Sequence, residues 1–258
     1  VDSSKDELTK EIVLNWQKKV GNRLQYRFWD DSHANPHSID EKVISIYQEY
    51  AVQYEYVWIL RDKLAVDVPA LVADLWRFVQ SKMELIIFND QYPQKPVVYK
   101  NNVALFRDCF NTMTVLGQTI VRGEFILKCM EQYPLDEKAN LGLWQPIAFF
   151  HYIEKESFSA VFLAEWHIFR YHPRALEGSF WLHQFLYQWA DRWYEMLSRL
   201  PHIYRDALSS VLIEHNERFN IYNVGVLVHS RSFGGITAQE VEKYRDIICT
   251  DLCSMSDL

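Results

Sequence analysis

The sequence predicts an all-α fold: an irregular multi-helix bundle, or a short helical-repeat-like array, around a buried central helix at about 145–172. Three observations carry this. Eight Gly and eight Pro in 258 residues leave few reversals, which favours long helices over many short strands. Aromatic residues make up 15% of the chain and include nine Trp, enough large rings to fill a sizeable interior. From Leu141 to Leu200 the chain reads as helix apolar on nearly every side, broken at Pro173. At 100° per residue His151, Glu154, Phe158, Phe162, Glu165 and His172 share one stripe, and Ser157, Ala160 and Ala164 another, the pattern of a post packed on both sides.

The remaining elements follow in chain order. Leu8, Ile12 and Trp16 are spaced four apart, with acids ahead of lysines, so a short amphipathic helix is expected before Val20. The polar stretch from Gly21 to Ser38 reads as a loop, and Ser38 or Asp40 can cap the next helix. A long helix is read from Ser38 to Leu64, and another opens at Pro69 and runs through MELIIF to the YPQKP cluster. Asn101 to Tyr133 reads as a helix or bent pair, loosened by Gly117, Gly123 and the β-branched run TMTVLGQTIV. Pro134 and LDEKANLG then separate an N-terminal half (1–133) from a C-terminal half (140–258), within a single domain spanning 1–258. The alternation of Val224, Val226 and Val228 marks a stretch that is either extended or helical, and Thr237 with Glu240 makes a capping box for the last helix.

Composition narrows the function classes. A net charge of −7 lacks the basic excess that phosphate-backbone contact requires, so no direct nucleic-acid partner is expected. The four cysteines follow no disulfide pattern, no apolar run is long enough to span a bilayer, and the first twenty residues are charged. The expected setting is intracellular, in cytoplasm or nucleus.

No nucleophile elbow, phosphate loop, dinucleotide fingerprint or paired-histidine zinc motif occurs. The function expected is therefore a helical protein–protein interaction domain, or a subunit of a larger complex, that binds another protein through aromatic grooves between helices and needs no cofactor. The stretch WADRWYEMLSR supplies the partner-binding residues of this reading, Trp189, Arg192, Trp193 and Arg199, because Trp and Arg beside one another are the composition of interface anchors. An alternative from a different class is a helical-bundle oxidoreductase dependent on haem or on iron or manganese, with His151, Glu154, Glu165 and His172 as its metal-ligating residues. The glutamate-to-histidine spacing of di-metal bundles is absent, and the stripe is about 30 Å long, too long for one site. A third reading is a carrier with an aromatic cavity for an apolar ligand.

Overall fold

The structure, a computed structural model, describes residues 7–30, 38–60, 64–88, 96–134, 143–163, 168–170, 185–219 and 222–249. In chain order the helices are α1 (Leu8–Val20), α2 (Ser38–Tyr50), α3 (Val68–Gln80), α4 (Asn102–Met113), α5 (Gly123–Gln132), α6 (Trp144–Ile153), α7 (Trp193–Ser198), α8 (Leu208–Phe219), α9 (Val224–Ser232) and α10 (Ala238–Lys243). The strands are β1 (Tyr56–Trp58), β2 (Leu64–Val66), β3 (Leu85–Phe88), β4 (Val97–Tyr99), β5 (Thr119–Arg122), β6 (Ala160–Leu163) and β7 (Ile168–Arg170).

The all-α expectation is therefore corrected: this is an α/β fold built on a five-stranded mixed sheet of order β1-β5-β3-β6-β4, with β2 and β7 pairing separately. The two strands that pair in parallel are the four-residue runs LIIF and AVFL, apolar at every position. A run that short fits a buried helix turn and a doubly covered strand equally well. The central post at 145–172 is corrected with it. Its helix ends at Ile153, the chain turns through Glu154 to Ser159, and Ala160 enters the sheet as β6.

β3 and β6 run parallel, with Leu85 opposite Ala160 and Phe88 opposite Leu163. The other pairings in this sheet are antiparallel. Leu85 and Ile87 on β3, with Ala160 and Phe162 on β6, face a large core to which α2, α4, α5 and α6 contribute. Phe106, Phe110, Phe150 and Tyr204 form its aromatic centre, with ring centroids 4.7–5.5 Å apart. Ile86, Phe88, Val161 and Leu163 face the other way and pack against Leu71 and Phe78 of α3.

Polar contacts fix how the layers meet. Asp40, buried in α2, accepts a hydrogen bond from the Trp144 amide at 3.1 Å and so caps α6, 104 residues away in sequence. Tyr47 donates to Gln145 Oε1 at 2.9 Å in the same interface. Gly123 begins α5 where the backbone approaches most closely: a Cβ there would lie 2.5 Å from the Ala51 carbonyl oxygen and 2.6 Å from that of Tyr54. One terminal feature was legible in the sequence: Thr237 and Glu240 form the capping box of α10. The Val224 stretch, whose alternation suits extended chain as well as helix, is helical, α9.

Candidate functional site

Three places gather side chains able to do more than fill the core. The first is the wide helical turn Tyr187–Arg192 and the helix α7 that continues it. Its i→i+5 register is an irregularity often found where a side chain is aimed for function. Trp193 is buried, stacked on His215 of α8 with ring centroids 3.9 Å apart and planes 20° apart. Trp189 lies against the same imidazole at 4.9 Å. Enclosure between indoles disfavours the charged ring, and burial pushes the His215 pKa down to about 3. On the outer side Glu195 accepts from Arg192 at 2.7 Å and from Arg199 at 2.8 Å, while Arg192 also donates to the Tyr187 hydroxyl and lies over its ring. Of the four residues expected to contact a partner, Trp193 thus belongs to the core, Trp189 is half-buried, and Arg192 and Arg199 reach the surface.

The second place is polar and enclosed, where the last turn of α4 and the start of β5 meet α8. The Arg218 side chain is 5% exposed; it donates to Thr112 Oγ1 at 2.6 Å and to Gln118 Oε1 at 3.0 Å. Glu214, one turn earlier on α8, stands 4.0 Å from the guanidinium and accepts from Asn111 at 2.9 Å. Desolvation holds the Glu214 carboxyl above its usual range, against the Asn111 hydrogen bond and the Arg218 charge. Asn111 also donates to the Val211 carbonyl at 2.8 Å. These contacts tie α8 to α4 and to the end of β3, whose Phe88 amide donates to Gln118 O. Sequence reading missed the cluster because its members lie about a hundred residues apart and match no motif.

The third place is apolar surface on helices. On α3, Leu71 and Phe78 point into the sheet, whereas Val72 and Trp76, one turn apart, are 57% and 66% exposed. On α1, Leu8, Ile12 and Trp16 are more than half or half exposed, and no residue of that helix is buried. The signal for α3 was present in the sequence: its apolar arc, running from Phe78 through Leu71, Leu75 and Val79 to Val72 and Trp76, is wider than one sheet face covers.

The metal alternative placed its four candidate ligands along one helical stripe. His151 and Glu154 stand at the end of α6, and Glu165 and His172 lie outside the described residues. The His151 ring stacks on Tyr133 at 4.4 Å and its Nε2 donates to the Arg199 carbonyl at 2.9 Å. Burial lowers its pKa. Among the described residues no group of three or more His, Cys, Asp or Glu side chains is placed to hold a metal ion, and no helix is long and apolar enough to cross a membrane.

Comparison with models of known protein families and with curated proteins finds no match for this chain.

Proposed function

We propose that this chain is a protein-interaction domain that binds another protein through the outer face of α3. The observation that supports this reading is the exposed pair Val72 and Trp76 on the one helix that, among the described residues, contributes to the cluster on that side of the sheet. Covering the exposed two-thirds of an indole, at about 25 cal/mol per Å², stabilises a complex by roughly 3 kcal/mol before ordering costs. An anchor of that size in a pocket of the partner, ringed by weaker contacts, is how such interfaces concentrate their energy. Arg192 and Arg199, held by Glu195, belong to the helical stretch that packs into the core on the opposite side of the sheet, so a partner contact made by them is a second surface, separate from α3.

The test is photo-crosslinking from a benzophenone amino acid placed at Val72. The expected result is one protein adduct in cell extract that excess wild-type chain competes away and excess Trp76→Glu chain does not. Trp76→Glu should keep its circular dichroism and lose at least tenfold in affinity for the captured protein. If no adduct is displaced by wild-type chain, the reading fails.

A further inference from the structure

A second apolar surface lies on α1, and its pattern specifies what covers it. Thr9, Lys10, Val13 and Gln17 are half-buried, while Leu8, Ile12, Trp16 and Val20 are exposed at a spacing of four. This places most of the apolar arc outward, the reverse of a helix that packs only on its own domain. Glu11 and Lys18 are seven residues apart, two turns, and so lie nearly in line along one flank of that arc. Within the helix Lys10 pairs with Glu7 at 2.8 Å, Lys18 donates to Asn15 at 3.3 Å, and the Lys19 ammonium sits 4.6 Å from the centre of the Trp16 ring.

We infer that α1 is a self-association surface that pairs antiparallel with α1 of a second copy about a two-fold axis. In that register Leu8 lies opposite Val20 of the second copy, Ile12 opposite Trp16, and Glu11 within a residue of Lys18; the symmetry makes each contact twice. A parallel two-fold pair would turn the Glu11 and Lys18 flank of each helix away from that of the other, leaving the two charges without each other as partners, and would align the two helix dipoles unfavourably. The charge pattern thus selects one orientation and one occupant. An anionic lipid surface fits less well, because Glu11 flanks the arc and the chain carries a net charge of −7. The contact is one helix long, about 20 Å, and a single helix pair of that length buries less than the ~1,200 Å² at the lower end of standard interfaces. The dimer is therefore weak and concentration-dependent. This surface is separate from α3, so either proposal stands or falls without the other.

The experiment is sedimentation velocity on the whole chain from micromolar to several hundred micromolar. The wild type should move from monomer to dimer with rising concentration, and added salt should weaken the dimer. Trp16→Ala should remain monomeric over the range. Glu11→Lys and Lys18→Glu, each alone, should weaken self-association about fivefold, and an equimolar mixture of the two should recover the wild-type affinity, because each then meets an opposite charge. Trp76→Glu should dimerise like the wild type, which keeps this test independent of the α3 reading. A wild type that is monomeric throughout, or a dimer indifferent to Trp16→Ala and to the charge exchanges, overturns the inference. Binding of α1 to anionic phospholipid vesicles without any self-association overturns it in favour of a lipid surface.

Discussion

A histidine enclosed by Trp189 and Trp193 stays neutral at pH values where an exposed one would take up a proton. His215 therefore links stability to pH, with a sign that can be worked out. Its folded-state pKa, about 3, lies below the unfolded value near 6.5, so between those values the unfolded chain binds more protons. Stability from this group is fully present above about pH 6.5 and is lost as pH falls toward 3, by roughly 3 kcal/mol at pH 4. Glu214 works in the opposite direction, because its raised pKa makes the folded state the better proton acceptor in mild acid. The two are separated by comparing urea denaturation of wild type and His215→Gln from pH 7 to pH 4: the variant should begin less stable and show the shallower loss. Parallel curves would mean that His215 does not carry the linkage. Trp189 and Trp193 were visible in the sequence as one aromatic stretch. Their imidazole partner stands on another helix, 22 residues after Trp193, and no spacing rule connects them.

At the level of elements, the starts of helices were legible but their ends and the strands were not: the helix read from Ser38 to Leu64 ends at Tyr50, the one opening at Pro69 ends at Gln80, and the central one ends at Ile153, each before a strand. Amphipathic segments such as α1, and starts marked by a capping box as in α10, carry their signal within a few residues. A strand of four apolar residues shows no alternation, because both of its faces are covered, and β3, β5 and β6 each join a helical stretch after only a short turn or directly. Gly123 illustrates the cost of reading only one level. In the sequence it looks like a weak point in a helix; in the structure it is the first residue of α5, pressed against the Ala51 and Tyr54 carbonyls, and its amide donates to Glu55 O at 2.8 Å. Gly123→Ala should lower stability by about 2–3 kcal/mol through overpacking against backbone that cannot swing aside, measured by chemical denaturation. Ala at this position usually favours a helix, so a neutral or stabilising result would show that α5 and the end of α2 separate more easily than their spacing implies.

Taken whole, the molecule is asymmetric: many helices pack on one face of the sheet, while on the other, among the described residues, α3 is the helix in contact. Local opening should follow that layout. In native-state hydrogen exchange the amides of β3, β5 and β6 should be the slowest, close to global stability, and those of α1 and α10, neither of which has a buried residue, the fastest. Fast exchange across Leu85–Phe88 would contradict the central place of β3. The two halves read from the sequence share this sheet, since β6 of the later half lies between β3 and β4 of the earlier one. That threading was not readable, because hydrophobic pattern reports which residues are covered and not which distant segment covers them. It also sets a timetable on the ribosome. β3 emerges long before its parallel neighbour, with 75 residues separating Leu85 from Ala160. At about 5–20 residues per second a nascent chain waits some 4–15 s with one edge of β3 unpaired and two apolar faces to shield, so its safest shelter in that interval is a chaperone.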